Sequence, residues 1–303
     1  MLEPLSKTKR GLLLVFFCML FIVLIPIIFF RSAGFRFGTD GEVVPTGGLY
    51  FNLDDRELEV YINGVKEKSK GLLSSGIFVS PLEPKIYSIE VRKEGYTTWL
   101  KDIEVFPRKV AEASPFVVPL NATTTEISPR ILNEDTGLQT ANPAFAAVSE
   151  LFEEAASSTA ATALALKNST ATGTATTSLR VKNGLVENGR TEVFIEGKNV
   201  VALWTGSANA TPSYFCDSED VTLCNSEIVI SSAEKVKQID FYPERRDVII
   251  IADAKRIYVT ELDRRAPVNS VVLFEGANAE FRLSESGELF VKQGTKYFSV
   301  PLE

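Results

Sequence analysis

From Gly11 to Phe30 the chain runs for twenty residues without a charge, and sixteen of them are Leu, Ile, Val or Phe. At about 1.5 Å of rise per residue such a run reaches roughly 30 Å, the hydrocarbon thickness of a bilayer. At about −0.4 kcal/mol per large apolar residue, insertion is favoured by roughly 6 kcal/mol before any penalty for Gly11 and Pro26. A cleaved signal peptide has a shorter apolar core and ends at a small-x-small site, for which Ser32-Ala33-Gly34 after Arg31 is a poor match. A soluble core helix would keep a polar face, and this run has none. Residues 11–30 therefore read as an uncleaved signal anchor, a single transmembrane helix after a short tail at 1–10.

Lys7, Lys9 and Arg10 precede the run, while Arg31 and Arg36 follow it. Basic residues favour the cytoplasmic side, which places the N-terminus inside and the body outside the cytoplasm, on the cell membrane. Residues 1–30 carry +2, so of the formal charge of −7 the rest of the chain holds −7 − 2 = −9. So acidic a body argues against nucleic acid, whose affinity comes largely from clustered Lys and Arg on phosphates.

Histidine is absent from all 303 residues, which removes the commonest general base and the commonest zinc ligand together. Of the three cysteines, Cys18 lies in the apolar run, and Cys216 with Cys224 cannot complete a tetrahedral metal shell by themselves. No metal and no cofactor is expected. Outside the cytoplasm, Cys216 and Cys224 are expected to form a disulfide closing a ring of about nine residues, worth roughly 2 to 3 kcal/mol by loop entropy. The acidic loop between them, Asp217, Glu219 and Asp220, matches no EF-hand spacing and reads as a solvated turn, as do Asn52, Asp54 and Asp55.

After the anchor, residues 31–45 contain three glycines and a proline and read as a stalk. A β meander then begins. Gly48–Leu53 and Leu58–Ile62 alternate, Asn63-Gly64 supplies a tight turn, and Gly76–Ser80, Ile86–Arg92, Thr97–Phe106 and Phe116–Leu120 follow at roughly ten-residue spacing. Such spacing predicts a small sandwich. Three blocks, Gly48-Leu49-Tyr50-Phe51, Val60-Tyr61-Ile62-Asn63-Gly64, and Leu82-Glu83-Pro84 leading through Ile86–Val91 into Lys93-Glu94-Gly95-Tyr96, make residues 46–120 resemble the PEGA domain family. The chain departs from the family in carrying Pro84-Lys85 where a Pro-Gly is usual, and in lacking the string that names it. The resemblance implies a small extracytoplasmic β module of the kind found on anchored bacterial surface proteins, without catalytic residues.

Residues 121–178 read as a linker. Asn142-Pro143 starts a helix near 143–156 whose Phe145, Val148, Phe152 and Ala155 share a face. Of the 22 residues from Ser157 to Ser178, 18 are Ser, Thr, Ala or Gly, too few apolar groups to offset chain entropy. Residues 179–303 carry a weak repeat: Glu192–Ile195 with Val200–Leu203, Asp247–Ile250 with Ile257–Val259, and Glu288–Val291 with Tyr297–Val300. These pairs, with Val236–Pro243 ahead of the second, resemble WD40-type blades. Three copies fall short of the usual four to eight, so an incomplete or degenerate propeller is expected, with a blade edge left for a partner strand to cover. The fold class is mainly β.

No G-x-x-x-x-G-K-[ST] and no G-x-S-x-G occurs. The reading that follows is a non-enzymatic, membrane-anchored scaffold or binding module for protein or cell-envelope polysaccharide. Two others stand beside it: a tethered ligand sensor acting through a partner, and a glycan-active enzyme using paired carboxylates.

Overall fold

The computed structural model describes residues 7–32, 34–37, 41–53, 55, 57–67, 76–120, 124–132, 138–154, 183–216 and 224–302. The protein is mainly β, with one N-terminal apolar helix and several antiparallel sheets. Helix α1 spans Lys7–Ser32 and is long and apolar enough to cross a membrane, with every apolar side chain from Leu12 to Phe29 lying outside any protein core.

The stretch read as a stalk is a hairpin of β1 (Phe35–Phe37) and β2 (Val43–Pro45). It is tied at its base, because the Gly34 carbonyl accepts from both the amide (2.7 Å) and the hydroxyl (2.9 Å) of Thr46. The Phe35 ring lies 5.3 Å from Phe30 of the helix and 5.5 Å from the Arg108 guanidinium.

The sandwich has two sheets. One orders β6 (Gly76–Leu82), β3 (Gly47–Asn52) and β9 (Val110–Ala113); the other orders β5 (Val65–Lys66), β4 (Glu59–Ile62), β7 (Ile86–Arg92) and β8 (Trp99–Glu104). The β4–β5 turn has Asn63 at φ 49 and Gly64 at φ 78, the paired left-handed residues of a tight hairpin. Alternation drives the packing, since Tyr87, Ile89 and Val91 point inward while their neighbours do not. Two details differ from the expected meander. Strand β9, which pairs in parallel with β3, has no alternating apolar signature in Val110-Ala111-Glu112-Ala113, and Phe116–Leu120 contributes only a bridge from Pro119 to Tyr96.

Next come β10 (Thr125–Ile127), a hairpin of β11 (Arg130–Leu132) with β12 (Gln139–Ala141), and helix α2 over 143–154. The Asn142 side chain accepts from the Ala144 amide at 3.0 Å, the N-cap foreseen before Pro143.

Three four-stranded antiparallel sheets follow. The first is β13 (Asn183–Asn188), β14 (Thr191–Glu196), β15 (Asn199–Trp204) and β16 (Glu227–Ser231). The second is β17 (Gln238–Phe241), β18 (Val248–Ala252), β19 (Arg256–Glu261) and β20 (Ser270–Glu275). The third joins β21 (Glu280–Leu283), β22 (Leu289–Gln293) and β23 (Lys296–Val300) to β10, so a segment preceding the other two sheets supplies its fourth strand. The three apolar pairs read from the sequence are the central hairpins β14–β15, β18–β19 and β22–β23.

The second sheet is apolar on both faces. Ile249 and Ile251 pack with Val193, Ile195 and Val200 of the first sheet, while Val248, Ile250 and Ala252 join a core shared with the third sheet and the sandwich. On the other face of the third sheet, Phe290 and Tyr297 pack against Val148 and Phe152 of α2. A helix thus covers the surface where a further blade would stack, and among the described residues the sheets close into neither a barrel nor a propeller.

Candidate functional site

Among the described residues, chemistry-bearing side chains meet at the junction between sandwich and second sheet and in a pocket at the end of the first and second sheets.

At the junction, the inward positions of β8 are Trp99, Lys101 and Ile103, so strict alternation drives a lysine into the core. Lys101 is 0% exposed and pairs with Glu261, itself 2% exposed, at the end of β19. The Lys101 ammonium also donates to the carbonyls of Asp263 (3.2 Å) and Arg265 (2.9 Å), which uses its three donors. Glu261 Oε1 further accepts from the Asn269 amide (2.7 Å) and side chain (2.9 Å), and Oε2 accepts from Trp99 Nε1 at 2.9 Å. Burial pushes the Glu261 carboxyl up from its ordinary value, opposed by Lys101, the Asn269 amide and Trp99. Around this pair the backbone is stitched too. Asn269 exchanges hydrogen bonds with Leu100, Arg265 donates to the Glu112 carbonyl at 2.8 Å, and Arg245, held by Asp247, donates to the carbonyls of Ser114 (2.7 Å) and Pro115 (3.0 Å). Such a pair is neutral to costly as a source of stability but specifies how the two pieces meet, because each charge is intolerable without the other.

This network was missed in the sequence. Its one local signal was Lys101 sitting on the inward register of Trp99 and Ile103; the partner lies 160 residues away.

The pocket, about 630 Å3, is built from the β13–β14 turn, the β15–β16 connection and the β17–β18 turn. Its walls are aromatic and fixed: Trp204 Nε1 donates to the Ser207 carbonyl at 3.0 Å, and the Tyr214 hydroxyl shares a 3.2 Å hydrogen bond with Thr191. Burial raises the Tyr214 phenol above its usual value, so it stays protonated. Two guanidiniums, Arg190 and Arg246, line the same space. Gly189 turns at φ 67, and the Arg246 guanidinium lies 3.6 Å from where its Cβ would stand.

Cys216 Sγ is bonded to Cys224 Sγ with the Cα atoms 4.2 Å apart, and Cys216 directly follows Tyr214 and the buried Phe215 in the pocket wall. Asp217, Glu219 and Asp220, and also Asp54, lie outside the described residues. Asp55 instead pairs with Lys93 at 2.5 Å, an ion pair that raises the lysine's pKa. Among the described residues no group of three or more His, Cys, Asp or Glu is placed to hold a metal.

The PEGA domain family matches residues 54–115, inside the sandwich. No curated protein matches the chain. A crystal structure of a protein of unknown function from Bacteroides fragilis, described as membrane-associated, aligns over 84% of this chain and 94% of its own at 10% identity, with a TM-score of 0.20. At that similarity it bears on neither fold nor role. The fold and the family match together describe a β-rich protein with one N-terminal helix long and apolar enough to cross a membrane and a segment, residues 54–115, similar to the PEGA domain family.

Proposed function

We propose that this protein is a single-pass, membrane-anchored extracytoplasmic scaffold, a non-enzymatic binding module that holds protein or cell-envelope polysaccharide at a set height above the bilayer. The observation that carries the reading is the buried Lys101–Glu261 junction, which locks the PEGA-bearing sandwich to sheets taken here as a degenerate propeller-type array. A scaffold needs defined geometry from anchor to binding face, and the hairpin tied at Thr46 extends that continuity down to α1.

The exported orientation is favoured by the Cys216–Cys224 disulfide, which persists in oxidising compartments and is rare in the cytosol. A non-enzymatic role is favoured by the absence of histidine and of nucleophile motifs. The test is twofold. Alkaline phosphatase fused after Glu303 is expected to be active, and crosslinking in intact cells is expected to recover envelope polysaccharide or one defined protein with the full chain but not with residues 1–45 alone. A fusion active only in the cytosol overturns the topology, and equal recovery with both overturns the scaffold.

A further inference from the structure

The charge of the pocket is at odds with the body that holds it. Beyond residue 30 the chain carries −9, yet among the described residues no carboxylate lines this cavity, while Arg190 and Arg246 do, both exposed and neither in an ion pair with another described residue. Their neighbours are otherwise engaged: Asp247 is taken up by Arg245 at 2.8 Å. Two arginines lining one pocket, with no ion-pair partner among the described residues, suit an anion, and the planar fork of each fits a carboxylate in particular.

The rest of the wall narrows the class. An isolated anion needs far less than about 630 Å3, a volume typical of small-molecule sites. Trp204 and Tyr214 supply flat apolar faces for the C–H surface of a pyranose ring. Their ring atoms are already held, Trp204 by Ser207 and Tyr214 by Thr191 and the Arg246 carbonyl, so no side-chain ordering is required of them on binding. Asn188, whose amide already gives one hydrogen bond to the Arg245 carbonyl at 2.9 Å, and Ser207 also line the space. We infer that this pocket binds a uronic-acid unit of an acidic polysaccharide, its carboxylate between Arg190 and Arg246 and its ring against Trp204. The inference rests on the scaffold reading and names the polymer that reading leaves open.

The site is tested with the full chain in nanodiscs, using a galacturonate oligosaccharide, the same oligosaccharide as its methyl ester, and a poly-glutamate peptide as probes. Trp204 reports binding through fluorescence, because Trp99 is only 1% exposed. The acidic oligosaccharide is expected to shift Trp204 emission and to bind at least about tenfold more tightly than its ester. Arg190→Gln and Arg246→Gln are each expected to weaken it about tenfold without changing the circular dichroism spectrum. Equal binding of acid and ester, or binding untouched by both substitutions, overturns the site while leaving the scaffold intact. Tighter binding of poly-glutamate than of the oligosaccharide overturns the sugar in favour of an acidic peptide. Failure of the scaffold itself is read separately, from the crosslinking recovery.

Discussion

The two tryptophans sit in opposite electrostatic settings. Trp99 is 1% exposed, with the Lys101 ammonium 5.6 Å from its ring centre and its indole N–H bonded to Glu261; every charge there is paired. Trp204 is half-buried beside Arg190 and Arg246, whose charges meet no counter-ion among the described residues. Its N–H is spent on a backbone carbonyl, and its ring, with Gly206 and Phe215 beside it, lines the pocket. Cations of the first kind fix how two parts of a protein meet, because desolvation makes an unpaired buried charge expensive. Cations of the second kind add little to folding, so recognition is the better account of their placement.

The largest effect that would break this contrast is Lys101→Met, which strands Glu261 without its counter-charge. Chemical denaturation is expected to register a loss of about 3–5 kcal/mol, with the Glu261→Gln partner change recovering most of it. Replacing Cys216 and Cys224 by serine removes the cross-link, at a sequence separation of 8, beside the pocket wall and is expected to cost roughly 2–3 kcal/mol, read from the same transition. Trp99→Phe leaves one Glu261 oxygen short of a donor and a small void, for a loss of about 1–2 kcal/mol. At the pocket, Arg190→Gln and Arg246→Gln are expected to move stability by no more than about 0.5 kcal/mol; a larger loss would make these arginines structural and erase the contrast.

The pH dependence sharpens it further. Glu261 has a folded pKa above its ordinary value of 4.5, so the folded state holds the proton more tightly than the unfolded chain does. The carboxyl's contribution is therefore greatest below 4.5 and declines as pH rises through the folded value. Wild-type stability relative to Glu261→Gln, whose amide stands in for the protonated carboxyl and does not titrate, is expected to fall across that window, measured as denaturation midpoints from pH 4.5 upward.

Local pattern carried much of the architecture. An uncharged run long enough for a bilayer has one low-energy form, a helix, and α1 is that helix. Alternation marked β4 and β7, because a strand with one face buried writes its period into the sequence, and short apolar runs rich in β-branched and aromatic residues marked the three central hairpins. Asn63-Gly64 announced its turn for the same local reason, as Asn142-Pro143 announced α2.

What was illegible depends on partners far along the chain. Strand β9 has almost no apolar alternation and exists because β3 offers an edge to it; β10, in the stretch read as linker, exists because β23 does. The same holds for the sites. Nothing near Arg190 announces Arg246, and nothing near Lys101 announces Glu261, since neither pair shares a local period. The sequence by itself determined the long apolar helix, the β class and the position of the hairpins, all products of short-range sterics and side-chain periodicity. Only the tertiary structure decided which sheet faces meet, which charges end up sealed and which stay open, because desolvation acts on neighbours in space and takes no account of distance along the chain.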